Sequence, residues 1–213
     1  CAVCTGEDLK GDDIMNGKLC YQGHASFRLE TAGGLTVYLD PFAGDGYDKA
    51  ADLIVCTHEH RDHNCVDMMP HAAGCRILRY TDLMADGSYQ SEAVGDVTVR
   101  AVPACNKNHP RDVSMGVVLT VGTAKLYFAG DTSYVPEMED LKEEGLDYAF
   151  FPCDGFYNMD VEEASRCAAA AGAAHSVPIH TCKDSDGIFD RANAERFQAA
   201  GRIILEPGET MEF

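Results

Sequence analysis

Leu53-Ile54-Val55-Cys56-Thr57-His58-Glu59-His60-Arg61-Asp62-His63 is the stretch on which the reading of this chain turns. Its first four residues are apolar without a break and read as a fully buried strand. The strand opens straight into a segment where His58, His60, Asp62 and His63 supply four potential metal ligands within six residues. Neutral imidazole and carboxylate together suit zinc, iron or manganese. A loop that leaves a strand end can turn such side chains towards one small space.

Upstream of this stretch the pattern is that of short strands. Leu19-Cys20-Tyr21, Ser26 to Glu30 and Leu35 to Leu39 fit, with the last two joined at Ala32-Gly33-Gly34, a hairpin signal. Phe27 and Leu29 alternate with Arg28 and Glu30, as in a half-buried antiparallel strand. Asp40-Pro41 ends the third strand, because proline lacks the donor that a central strand needs. Residues 1–16 are polar and irregular and read as a loose extension.

Downstream, 75–80 and 97–102 look like strands, and 115–121 with 125–129 form a hairpin broken at Gly122-Thr123. The rhythm then changes. Helices are predicted over Pro136 to Glu144, with proline in the first turn, over Asp160 to Ala171, and over Arg191 to Ala200. Asp160 stands as an N-cap with Glu163 three residues on, as in a capping box. Strands are predicted at Tyr148 to Phe151, Ser176 to Ile179 and Arg202 to Leu205. An all-β first half followed by alternating helices and strands implies an α/β fold, a four-layer αββα sandwich, formed by one domain over residues 1–213.

Acidic residues outnumber basic ones by 35 to 17, a formal net charge of −18. Such a surface argues against nucleic acid, which requires clustered Lys and Arg. No apolar run is long enough to span a membrane. The ten cysteines sit mostly alone within apolar segments, as reduced cysteine does. That usage, and the lack of a signal-peptide pattern at the start, points to the cytoplasm. A processed lipoprotein beginning at Cys1 stays open. Cys1 and Cys4 form a CxxC with no second CxxC to complete a structural zinc site.

Two more strand ends carry candidate ligands. Ala129-Gly130-Asp131-Thr132 follows Lys125 to Phe128, and Val177-Pro178-Ile179 runs into His180. Alone, a Gly-Asp pair is a turn and a single histidine is structural. Their order behind the His58 segment gives them meaning. His71 and His175 have no motif around them and read as structural.

With these pieces the chain resembles the metallo-β-lactamase superfamily, from about Met15 to the end. More narrowly it resembles the small stand-alone hydrolases related to ascorbate-6-phosphate lactonase. The residues that carry the likeness are Gly23-His24-Ala25-Ser26-Phe27, Leu39-Asp40-Pro41, Thr57 to His63, Val102-Pro103-Ala104-Cys105-Asn106, Gly130-Asp131-Thr132 and Pro178-Ile179-His180. The resemblance implies that His58 and His60 bind a first metal, that Asp62, His63 and His180 bind a second, and that Asp131 bridges them. Many relatives carry a histidine near the position of Asn106. Here the third ligand of the first metal is His109, Asn106 or water. By the same resemblance His24 is pocket wall or a support behind the ligands.

The expected chemistry is hydrolytic. Two divalent ions, zinc before manganese or iron, about 3.5–4 Å apart, can share one water and make it a hydroxide near neutral pH. Asp62, with His58 and His60, carries the catalytic role. Asp40, Thr57 and Thr132 are candidates for fixing histidine tautomers, although Asp40 reads equally well as a turn residue before Pro41. Lys107, Arg111 and Lys183 lie on presumed site loops and could grip an anionic substrate. Phe156 to Met159 could line the pocket mouth. The expected substrate class is a small ester, lactone or phosphodiester, anionic or phosphorylated compounds included. Oligomeric state is not legible. Competing readings are a di-iron redox enzyme, disfavoured by His60 where such relatives carry Glu, a nuclease, disfavoured by length and charge, and a non-catalytic metal-binding or sensing protein.

Overall fold

The computed structural model describes residues 15–85, 87–184 and 186–213. The predicted extension over residues 1–16, apart from its last two residues, and the CxxC at Cys1 and Cys4 therefore lie outside the described residues.

In chain order the strands are β1 (Gly17–Gly23), β2 (Ser26–Thr31), β3 (Thr36–Leu39), β4 (Ala51–Val55) and β5 (His71–Leu78). A one-turn helix α1 (Tyr80–Leu83) leads to the small hairpin β6 (Met84–Ala85) and β7 (Ser88–Tyr89). Then come β8 (Ser91–Val94), β9 (Val97–Pro103), β10 (Met115–Val121), β11 (Ala124–Phe128) and β12 (Tyr148–Pro152). The helix α2 (Val161–Ala171), β13 (His175–Ile179), the helix α3 (Arg191–Arg196) and β14 (Thr210–Glu212) complete the set. The first sheet has the order β14-β1-β2-β3-β4-β5 and the second β13-β12-β11-β10-β9-β8. Each is antiparallel in its early strands and parallel at one end, where β3, β4 and β5, or β11, β12 and β13, lie side by side.

The inner faces of the two sheets meet in one apolar core. Phe27 of β2 packs edge-on against Phe128 and Phe150 of the opposite sheet, with ring centroids 5.1 and 4.9 Å apart. Such pairs add roughly 0.5–1.5 kcal/mol beyond the area they bury. Outside the second sheet, α2 buries Val161, Ala164, Cys167, Ala168 and Ala171, a stripe at helical spacing, in a cluster with Tyr127, Ala149 and Phe151. Outside the first sheet the cover is thinner: Tyr38, Ile54 and Cys56 pack with Met69, Val66 and Tyr47, which belong to a loop and a 3₁₀ turn. The four-layer sandwich is as expected, with its helical layer concentrated on one side.

Several element boundaries differ from the sequence reading, each for a local reason. Residues 136–144 form two 3₁₀ turns, Pro136–Met138 and Asp140–Glu144, in place of one α-helix. Only Met138 and Leu141 are buried there, so little packing rewards a regular helix. α3 stops at Arg196 because Phe197 turns extended and sinks its ring into the cluster beneath α2. Arg202 makes only an isolated bridge to Ser176, and its guanidinium donates to the carbonyls of Glu195 and Phe197 at the end of α3. The last strand is β14, which pairs with β1.

Asp160 caps α2 as expected, accepting from the Glu163 backbone N–H at 2.7 Å. Glu163, however, reaches to the backbone N–H of Tyr134 instead of closing a capping box. Replacing Asp160 by Ala is expected to cost about 1 kcal/mol. A denaturant midpoint that does not move would remove this cap from the stability of the helix.

Candidate metal centre

The site lies where strands of both sheets end. Thr57 to His63 leave β4, Asp40 follows β3, and His24 sits in the turn between β1 and β2. From the other sheet, His109 stands in the loop between β9 and β10, Asp131 follows β11, and His180 follows β13. Gly130 admits Asp131: it has φ +66°, and a Cβ there would lie 2.6 Å from the Met115 carbonyl oxygen.

Backbone strain gathers here. Among the described residues the non-glycine residues with positive φ are His24 (55°), Asp40 (43°) and His180 (44°). Left-handed backbone outside glycine is costly and persists only where its surroundings enforce it. The enforcing contacts are visible. The His180 N–H donates to the His24 carbonyl at 2.8 Å, the His24 N–H to Ile188 at 2.7 Å, and the Asp40 N–H to Val55 at 2.9 Å.

The side chains form three overlapping groups of potential ligands: His58, His60 and His109; His58, His63 and Asp131; and His24, Asp62, His63 and His180. Within each group the ligand atoms lie within 4.8 Å of one another. Asp131 faces both sides, with Oδ1 3.4 Å from His63 Nε2, and Oδ2 3.4 Å from His109 Nε2 and 3.7 Å from His180 Nε2. His109 thus comes into the first group, and Asn106 stands behind it. Asn106 Oδ1 accepts from the backbone N–H groups of Asn108 and His109 and from His109 Nδ1 at 2.9 Å. That fixes the tautomer and leaves His109 Nε2 bare, 3.1 Å from His60 Nδ1.

Asp40 orients the other side. It is buried, and its Oδ1 accepts from the Thr57 N–H at 2.7 Å. Its Oδ2 accepts from the Thr57 hydroxyl at 2.8 Å and from His63 Nδ1 at 2.9 Å. The Thr57 hydroxyl, having given its proton to Asp40, accepts from His58 Nδ1 at 3.1 Å. One carboxylate thereby turns the Nε2 atoms of both His58 and His63 inward as acceptors. Those two Nε2 atoms and Asp131 Oδ1 are buried with no hydrogen-bond partner. Buried polar atoms are rarely left so. A cation among them would satisfy all three, so the donor set fits a metal.

The titration behaviour agrees. Burial would raise the Asp131 pKa, but His63, His180, His58 and His109 around it hold the carboxyl well below the usual carboxylate range. Burial pushes His58 well below the ordinary imidazole value and His180 down to about 4. For His63 burial is outweighed by Asp131, Asp40 and Asp62, and the pKa stands at about 9. In the metal-free protein near neutral pH, His63 therefore holds a proton while His58 and His180 are neutral. A metal must displace that proton, since ligating imidazole is neutral. Metal uptake at a pH of about 7.5 should release about one proton more than at a pH of about 10, where His63 has already lost its own. Calorimetric titration in buffers of different ionisation heat reads this directly, and a proton count near zero at the lower pH would contradict it.

Other candidates fall into place. Thr132 bonds to Cys105, with its hydroxyl accepting from that N–H and donating to its carbonyl, and it supports no histidine. Arg111 is spent on Glu137 at 2.6 Å. His71 and His175 hydrogen-bond to the backbone carbonyls of Val66 and Gly201, consistent with structural roles. Asp154 was not singled out from the sequence. Its Oδ2 lies 3.3 Å from His180 Nδ1, and its Oδ1 accepts from the N–H groups of Phe156, Tyr157 and Asn158. The available signal was its place at the end of β12, one strand over from Asp131. Above the centre is a cavity of about 440 Å³ lined by His60, Arg61, Asp62, Asn108, His109, Asp131 and Tyr157.

Residues 18–180 match the beta-lactamase superfamily domain. The chain belongs to this family and is a metal-dependent hydrolase of the metallo-β-lactamase fold. Within it, the chain is 27% identical to a UPF0173 metal-dependent hydrolase of Pyrococcus furiosus, over 92% of this chain and 99% of that one. It is 29% identical to a UPF0173 metal-dependent hydrolase of Thermoplasma acidophilum, over 90% and 93%. Among solved structures it is similar to Igni18, a metallo hydrolase from the archaeon Ignicoccus hospitalis, with a TM-score of 0.72, 25% identity and coverage of 92% and 98%. Among the described residues no helix is long and apolar enough to cross a membrane.

Proposed function

We propose that the chain holds two divalent cations, zinc in the first instance, and hydrolyses a small ester, lactone or phosphodiester bearing an anionic group. The observation that carries this reading is Asp131, a buried carboxylate that lies between His109 of one group, at 3.4 Å, and His63 and His180 of the other, at 3.4 and 3.7 Å. His58, His60 and His109 would hold one ion, Asp62, His63 and His180 the other, and Asp131 would serve both. A metal pair bound there would supply Lewis acidity to a carbonyl or phosphoryl oxygen and would acidify a bound water.

The chain's own groups do the rest. Asp40 and Asn106 fix the imidazole tautomers, so the ligand atoms need no rearrangement before binding. Asp62, partly open to the cavity, is placed to orient the attacking water as well as to bind metal. The cavity volume suits a small molecule. Arg61 at its rim is mostly exposed, lies over the Phe42 ring and, among the described residues, is 3.9 Å from Asp186, a loose pairing that would let it meet a substrate anion.

The test is a metal analysis joined to an activity screen over lactones, phosphodiesters and thioesters. The reading expects about two zinc ions per chain, and an activity that chelation removes and zinc restores. A single ion per fully active chain would overturn the dinuclear reading.

A further inference from the structure

We propose that His24 is a further protein ligand of the second metal, joining Asp62, His63, His180 and the shared Asp131, so that this site is more fully enclosed by protein than the first. The inference rests on the dinuclear reading above and goes beyond its ligand set.

His24 is fully buried, and its ring is committed at one end. Nδ1 faces the Gly187 carbonyl oxygen at 3.1 Å, which can only accept, so Nδ1 carries the proton. In the neutral ring the other nitrogen, Nε2, carries the lone pair, and it lies 3.2 Å from Asp62 Oδ2. Such a contact needs a cation between the two atoms, either a proton on Nε2 or a metal ion that replaces it. The same small space receives His63 Nε2, 4.0 Å from Asp62 Oδ2, and His180, whose ring centroid is 3.7 Å from that of His24. One ligand atom from each of His24, Asp62, His63 and His180 lies within 4.8 Å of every other. Three imidazoles and one carboxylate fill four positions around zinc before the shared Asp131 is counted.

The backbone is built to hold this ring. His24 has φ 55°, and its carbonyl accepts from the His180 N–H and from the Tyr21 hydroxyl at 3.0 Å. A ring that only walled a pocket would not need two strained residues tied to each other.

The cavity gives a second, independent observation. Its walls include His60 and His109 of the first group but none of His24, His63 and His180. Only Asp62 of the second group reaches it. A site filled by protein ligands leaves little room for water, whereas a catalytic site keeps a position free. An ion at the second group would thus be held chiefly by protein, and water and substrate would exchange on the His60 and His109 side, which the cavity reaches.

Crystals of the full chain grown with zinc and measured at the zinc absorption edge test this. The expected result is a zinc at the second group with His24 Nε2 about 2.0–2.1 Å away and no water on it other than one shared with the first ion. A zinc there with His24 Nε2 hydrogen-bonded to Asp62 and a water completing the shell would overturn the inference and leave the dinuclear reading standing. No zinc at either group would overturn both. In solution, His24→Asn removes the ring nitrogen while keeping a residue that tolerates positive φ. The visible absorption of the cobalt-loaded protein at the second site should fall several-fold, and the second cobalt should dissociate at least about 100-fold more readily. An unchanged spectrum and affinity would overturn the assignment.

Discussion

Replacing Asp131 by Asn is expected to lower hydrolysis by at least about 1000-fold and to drop the bound metal below one ion per chain. This carboxylate answers to four imidazoles at once, from His63, His180, His58 and His109. Asparagine has nearly the same shape but one oxygen, so it must turn an amide either towards His63 or towards His109 and His180. The amide N–H groups would occupy the place of a cation. The loss should appear in kcat, because the groups that line the rim, such as Arg61 and Tyr157, are untouched. A variant that keeps two ions and normal turnover would remove Asp131 from the centre.

The second large effect is expected at Asp40, although it touches no metal. Asp40→Asn should weaken metal binding by roughly 10- to 100-fold and destabilise the metal-free protein by about 2–4 kcal/mol. The carboxylate accepts three hydrogen bonds, from the Thr57 N–H, the Thr57 hydroxyl and His63 Nδ1. The last is an ion pair in the metal-free state, where His63 is raised to about 9. The pair contributes stability that is fully present below the unfolded histidine pKa of about 6.5 and that fades as pH rises through about 9. The penalty of the variant should therefore shrink towards a pH of about 10. Asn tolerates the left-handed backbone of this position, so the cost reports on the hydrogen bonds and not on strain. Chemical denaturation of both chains across pH measures it, and a penalty that grows with pH would contradict the pairing.

The two effects also mark what the sequence makes visible. His58, His60, Asp62 and His63 stand out because one strand end presents them together, and Asp131 and His180 because each also closes an apolar strand. Short-range patterns of this kind are readable. The support behind the ligands is not, since Asp40 and His63 are 23 residues apart and His24 and Gly187 are 163 apart. His109 takes its place only because Asn106, three residues earlier, gathers two backbone N–H groups and a ring nitrogen on a single oxygen. The same limit explains β14. Its pairing with β1 joins opposite ends of the chain, and the segment at Arg202, which looks more strand-like, is drawn off to finish α3. Phe197 ends that helix through a burial that no local propensity reveals.

Each group of candidate ligands takes members from both sheets: His58 and His60 with His109, and Asp62 and His63 with His180. Bound ions would therefore act as rivets through the sandwich as well as reagents. The melting temperature of the protein then becomes a gauge of free zinc, rising by the equivalent of about 2.7 kcal/mol when the ion stands at about 100 times its dissociation constant.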